Sequence, residues 1–108
     1  MNLHIDTTKR EEVIVELWKN QKKLTDKIVV LQKTGSQALL PTIAKILRKN
    51  KVAFKDIREV KVETGPGSFT GTRVGVAVAN AIGFALNIPV NGKLGKIALP
   101  IYEKSKFD

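Results

Sequence analysis

Between Thr70 and Leu86 the chain sets Gly71, Gly75, Ala79 and Gly83 at intervals of four, among residues that are otherwise mostly apolar. A spacing of four returns to the same side of an α-helix. The segment is therefore expected to be a helix with one smooth ridge that carries almost no side chain. A glycine inside a helix costs about 1 kcal/mol relative to alanine. Several such residues on one row imply that another element comes very close to the ridge. Either the sheet of the chain's own fold or a helix of a partner would satisfy this, and the spacing does not choose between them.

The remaining periodicities supply that sheet. Asn2–Asp6 is short and apolar and breaks at Thr7-Thr8, as a first strand would. Glu12–Trp18 alternates, with Val13, Val15 and Leu17 on one side, which is strand spacing. Asn20–Lys23 is polar and reads as a turn, and Lys27–Gln32 holds the β-branched run of a third strand. The pattern then changes period. Leu39, Leu40, Ile43, Ile46 and Leu47 mark an amphipathic helix over Gln37–Asn50, with Ser36 as its N-cap and a kink expected at Pro41. Arg58–Thr64 alternates again as a fourth strand, Gly65–Phe69 is a glycine-proline turn, Thr70–Leu86 is the second helix, and Ile88–Asn91 is a short fifth strand. Lys93–Asp108 has weak periodicity and reads as a tail beyond a lobe of residues 1–92. The order β-β-β-α-β-α-β fits an α/β half-domain of the RNase H-like or actin-like kind, a mixed five-stranded sheet with helices on its faces.

Composition narrows the chemistry. The chain has 108 residues, enough for one domain, and no cysteine, which removes disulfides, thiolate metal sites and cysteine nucleophiles together. The apolar run Val74–Val90 is broken by Asn80, Asn87 and Pro89 and is short for a membrane span, and no signal peptide is apparent, so a cytoplasmic protein without membrane contact is expected. Lys and Arg number 19 against 10 Asp and Glu, a net charge of +9. Lys45, Arg48, Lys49, Lys51 and Lys55 follow one another with no acid among them. They are candidates for RNA contact. A lysine-rich solvated surface explains them equally well, because the six aromatics (four Phe, one Trp, one Tyr) do not interleave with them as stacking platforms. The cations at the end of the first helix also suit the negative end of its dipole.

The most informative segment is Gly65-Pro66-Gly67-Ser68-Phe69-Thr70-Gly71-Thr72-Arg73-Val74-Gly75, which joins a strand to a helix. Gly65 and Gly67 allow a tight turn, Ser68 or Thr70 can cap the helix, its free N–H groups favour an anion, and Arg73 could add a donor fork. A well-capped turn with no ligand accounts for the same residues. This segment closely resembles the GPGSFTG-x-R-x-G signature of the TsaB (YeaZ) family. Ile5-Asp6-Thr7-Thr8 resembles the same family's first-strand motif, and Leu39-Leu40-Pro41 resembles its helix-one motif. The resemblance runs from residue 1 to about residue 92 in the right order.

The resemblance implies an actin-like scaffold in synthesis of tRNA N6-threonylcarbamoyladenosine, without catalytic residues of its own. Its partner would be a TsaD-like catalytic subunit, with a TsaE-like ATPase, a second copy of the chain and tRNA as further candidates. ATP and Mg would enter only in the assembled complex. The partner contact would be a helix bundle, for which Leu39, Ile43, Ile46, Leu47, Gly71, Gly75, Ala79 and Gly83 are the candidates. Asp6, Thr7 and Thr8 would be the remnant of a phosphate loop, alongside Gly65, Gly67, Ser68, Thr70 and Arg73. The family's second half has no counterpart here, so a two-lobed nucleotide cleft is not expected from one copy of this chain. The family's helix-one histidine is replaced by the neighbourhood Gly35-Ser36-Gln37. Pro100-Ile101-Tyr102-Glu103-Lys104 resembles a motif near the end of full-length members, which implies a shortened member.

An enzyme reading finds little support in the residues. His4 is the sole histidine, and no serine has an evident base. Asp6 and Glu63 stand near the ends of strands expected to be neighbours, as a Mg²⁺-dependent RNase H-like phosphotransferase would need, but neither helix offers a third carboxylate. Gly65-x-Gly67-x-x-x-Gly71 loosely echoes a dinucleotide fingerprint, but it follows the fourth strand rather than the first.

Overall fold

The computed structural model describes residues 1–9, 13–23, 28–30, 35–66, 69–95 and 98–99. Among these, five strands, two α-helices and a 3-10 turn (Phe54–Asp56) follow in order: β1 (Asn2–Asp6), β2 (Val13–Lys19), β3 (Lys22–Lys23), β4 (Ile28–Val30), α1 (Gly35–Lys49), the 3-10 turn, β5 (Glu59–Val62) and α2 (Phe69–Leu86). β2 pairs antiparallel with β1, Leu3 opposite Leu17, and β5 runs parallel to β1, Leu3 opposite Val60. Both β3 and β4 lie antiparallel along the outer edge of β2. The sheet is mixed, as the sequence implies. The polar residues expected to form only a turn include a two-residue strand, and of the expected third strand Ile28–Val30 lies within the described residues.

The alternation of the strands decides which face is covered. Leu3 and Ile5 of β1, Val13, Val15 and Leu17 of β2, and Val60 and Val62 of β5 all point to one side and are buried. α1 closes this face with Leu39, Ile43, Ile46 and Leu47, and α2 with Val76, Ala79 and Ile82. The other face carries the partly exposed residues His4, Asp6, Ile14, Glu16 and Trp18, with His4 stacked on Trp18 at 5.1 Å between ring centroids.

The small-residue row of α2 seats the helix on the sheet. A β-carbon at Gly75 would fall on the Thr7 hydroxyl and within 3.2 Å of both of that residue's side-chain carbons. A β-carbon at Gly83 would meet a Val90 methyl and lie 3.2 Å from the Ile88 carbonyl oxygen. Ala79, between them, is fully buried. The close neighbour left open by the spacing is thus the chain's own sheet.

Both helices end in the same hydrogen-bond motif. In α1 the Val52 N–H donates to the Leu47 carbonyl (2.9 Å) and the Lys51 N–H to that of Arg48 (3.1 Å). In α2 the Ile88 N–H donates to the Gly83 carbonyl (3.0 Å) and the Asn87 N–H to that of Phe84 (3.3 Å). These satisfy carbonyls that a helix end leaves open, and they require a left-handed residue at the turn, supplied by Lys51 (φ 57°) and Asn87 (φ 54°). α1 starts earlier than its periodicity suggests, so Ser36, the expected cap, lies inside the first turn, and α1 is continuous across Pro41.

The fifth strand is the main departure. Ile88–Asn91 contributes one parallel bridge, Val90 to Val60, and no strand. Asn91 and Gly92 turn left-handed (φ 52° and 80°) and fold the chain back, so that Val90 and Lys93 exchange backbone hydrogen bonds. The Asn91 side chain then replaces the ladder: its Oδ1 accepts from the Val62 N–H (2.8 Å) and its Nδ2 donates to the Val62 carbonyl (3.0 Å). One amide side chain thus serves both polar groups of the last β5 residue. Of the expected tail, Ala98 is held against α2 by a reciprocal pair of bonds with the Asn80 side chain (2.9 and 3.0 Å).

Two substitutions test this assembly by urea denaturation. Gly75→Ala should destabilise the protein by about 1–3 kcal/mol, although alanine is the better helix former, because α2 must lift off Thr7. Asn91→Ala should cost about 1–3 kcal/mol by leaving both Val62 groups without their partner.

Candidate partner interface

Apart from Gly71, the residues that sequence reasoning offers to a partner are buried in the chain's own fold. Leu39 and Ile43 are 0% exposed, Ile46 1% and Leu47 3%. Gly75, Ala79 and Gly83 face the sheet, and Gly71 lies on the same row. That assignment is corrected on a physical ground: an amphipathic helix laid on a sheet buries its apolar stripe there. What a partner can touch is the opposite side.

The opposite side of α2 is also apolar. From Val74 to Leu86 the only polar side chain is Asn80, and it is bonded to Ala98. A helix that is apolar all round is normally covered all round. Here the sheet covers one side, while Ala77, Ala81, Phe84 and Ala85 are exposed, Phe84 at 92%. Between α2 and α1 runs a groove of about 410 Å³, lined by Leu40 and Phe54 on one side and by Ala77, Ala81 and Ala85 on the other. Leu40, at 52% exposed, is the α1 residue turned into it. The signal was present in the sequence as the missing polar stripe of α2, which a search for membrane spans alone sets aside. Among the described residues no helix is long and apolar enough to cross a membrane.

The expected phosphate loop is built differently. The Asp6 Oδ1 accepts from the Thr8 N–H (3.0 Å) and the Thr8 hydroxyl (2.7 Å), a local turn that engages one carboxylate oxygen. Thr7 is buried beneath Gly75. Gly65 has a φ of 107°, which a residue with a β-carbon adopts only under strain, so its role is to turn the chain from β5 toward α2. Gly67 and Ser68, and the side chain of Thr70, lie outside the described residues. Arg73 is exposed on α2. The structure thus gives Asp6, Thr7, Thr8 and Gly65 structural roles.

On the uncovered sheet face, His4, Asp6, Glu16, Glu59, Lys61 and Glu63 line a polar cleft of about 600 Å³. Asp6 and Glu63, the pair weighed for Mg²⁺, both open onto it, but no group of three His, Cys, Asp or Glu able to hold a metal occurs among the described residues. Burial, and then the charge of Lys61, hold the His4 imidazole below its ordinary value of 6.5. Lys45, Arg48, Lys49 and Lys51 are all exposed.

The fold is shared with known proteins. The model of the family described as "TsaD: tRNA N6-adenosine threonylcarbamoyltransferase" matches residues 23–92. The chain belongs to this family and, within it, to the TsaB (YeaZ) group. It is 31% identical over 90 residues, 83% of its length, to the tRNA threonylcarbamoyladenosine biosynthesis protein TsaB of Escherichia coli, of which the match covers 38%. It is 30% identical over 77 residues to the protein of the same name from Bacillus subtilis, covering 71% of this chain and 34% of that one. YeaZ from Pseudomonas aeruginosa superposes with a TM-score of 0.73 at 31% identity, covering 82% of this chain and 41% of that one. The chain thus spans roughly two-fifths or less of the TsaB proteins it matches.

The His4 environment makes stability depend on pH. A histidine held below its ordinary value is favoured neutral in the fold, so the unfolded chain takes up a proton first as pH falls. Stability should be full above about pH 6.5 and decline below it. Thermal melts between about pH 7.5 and 5 should show this decline, and His4→Gln should flatten it.

Proposed function

We propose that this chain is a non-catalytic scaffold in the synthesis of tRNA N6-threonylcarbamoyladenosine, and that the outward faces of α1 and α2 seat a TsaD-like catalytic subunit. The observation that carries the reading is the exposed apolar side of α2 together with the groove it forms with Leu40 and Phe54. An apolar groove of this kind gains by excluding water against a matching surface.

The choice of partner rests on kinship. Relatives named TsaB match this chain, and so does the model of a family named for the transferase TsaD. Two proteins of one fold carry equivalent helix pairs. A TsaD-like subunit would therefore present a similar pair to this one, and two such pairs can pack as a bundle with small residues at the crossing. A second copy of the chain could occupy the same groove when the partner is absent, which makes homodimer and heterocomplex competitors for one surface.

The residues support the non-catalytic reading. His4 is the one histidine of the chain, there is no cysteine, and the Asp6 carboxylate is engaged in its own turn. ATP, Mg²⁺ and a TsaE-like ATPase would act through the assembled complex, not through groups of this chain.

Ala81→Arg tests the seat. Ala81 is exposed, so the substitution should change stability by no more than about 0.5 kcal/mol. A guanidinium in the middle of the apolar contact should weaken binding of the TsaD-like protein at least about 100-fold, or about 2.7 kcal/mol, by calorimetric titration. Unchanged affinity would move the contact elsewhere.

A further inference from the structure

We infer that the exposed cations at the end of α1 and along the connection to β5 form a seat for the sugar-phosphate backbone of RNA, beside the partner groove. This rests on the scaffold reading above, and it gives the subunit a second role, that of holding the RNA on which the catalytic partner acts.

The first observation is segregation of charge. Lys45, Arg48, Lys49, Lys51, Lys55 and Arg58 are all exposed, and the stretch they span contains a single acid, Asp56. The Asp56 carboxylate is turned to the Ala53 N–H (2.9 Å). None of the six cations takes part in an ion pair among the described residues. Asp6, Glu16, Glu59 and Glu63 gather instead around the polar cleft of the uncovered sheet face. Six exposed cations thus follow one another with a single, already engaged acid among them, and a field of this kind draws polyanions.

The second observation is that folding does not call for these cations. The helix dipole favours Arg48 and Lys49 in the last turn of α1. It gives no reason for Lys45, a turn earlier, or for Lys55 and Arg58, beyond the helix. Lys45 and Lys49, four apart, repel each other. Lys51 holds a φ of 57° at a helix end where glycine fits most easily, so the backbone there does not call for a lysine.

The third is position. Leu40, Ala44 and Arg48 lie on one four-residue row, so the groove side of α1 runs directly into the cations. Phe54 lines the groove, and Lys55 follows it in the 3-10 turn. A partner seated in the groove would leave the cations at its rim. Phe54 is the one aromatic in this stretch, so base stacking has no platform. The contact is with phosphates, without sequence preference and steep in salt.

The test uses the full chain in complex with the TsaD-like protein of its own source. Unmodified tRNA is titrated by fluorescence anisotropy between about 50 and 200 mM salt, with the complex carrying K45Q/K49Q/K55Q in parallel. Circular dichroism and co-purification check fold and assembly. The expected result is intact assembly, with tRNA affinity at least about tenfold lower in the variant and a log–log salt slope shallower by about 2. Equal affinity and slope in an assembled variant would overturn the inference and leave the scaffold reading standing. So would loss of binding to phosphatidylserine vesicles with tRNA binding unchanged, since the patch would then face a membrane. If the unmodified chain forms no complex, the scaffold reading fails by itself, and the chain alone is titrated with the same tRNA. Salt-steep binding that the variant loses then supports the patch, and no binding overturns it.

Discussion

The close approach of α2 to the sheet governs the rest of the molecule. At Gly75 the helix backbone rests on Thr7, just past the end of β1, and at Gly83 it rests on Val90. Two elements so close leave no room for side chains between them, so the apolar residues that flank the ridge, Val76 and Ile82 among them, reach the sheet directly. The same approach fixes where Val90 can lie, and so where the bridge to Val60 and the Asn91 side chain can complete the edge of β5. Thr7 and Gly75 belong to different motifs of the sequence, and one contact accounts for both.

This packing also determines what is left over. Because glycine and alanine supply the inner side of α2, its larger apolar residues are not all needed inside, and Phe84 ends fully in the open. Among the described residues the outer surface is apolar beside α2 and basic at the end of α1, while Asp6, Glu16, Glu59 and Glu63 gather across the sheet. A surface divided in this way suits a subunit that works by contact. In the proposed account, the apolar groove holds a protein of related fold and the adjoining cations hold RNA, by forces that differ in salt response: burial of apolar surface is nearly indifferent to salt, while phosphate contact weakens steeply.

Much of the fold was legible in the sequence, because strand and helix periods differ and the chain keeps them cleanly. Val13, Val15 and Leu17 lie inward as their alternation implies, and Leu39, Ile43 and Ile46 form the buried stripe of α1. Ile88–Asn91 misleads because Asn91-Gly92 is itself a turn signal: the two left-handed residues end the pairing after one bridge, and a side-chain amide finishes it. Family membership was legible from the glycine segment together with Ile5–Thr8 and Leu39–Pro41. The interface was not. Periodicity shows which face of a helix is apolar, and the first claim on that face belongs to the chain's own core. The missing polar stripe of α2 is visible in the sequence, but only the packed structure shows which side of it stays open, and that Leu40, rather than Leu39, looks outward.

The central claim is that the outer faces of α1 and α2 bind a TsaD-like subunit through apolar contact. The most direct measurement is calorimetric titration of this chain with the TsaD-like protein of its own source, at low and high salt and at several temperatures. The account predicts a stable complex at both salt concentrations, with affinity little changed between them and a negative heat-capacity change from buried apolar surface. Absence of binding at both, or binding that disappears at high salt with no heat-capacity change, would contradict it.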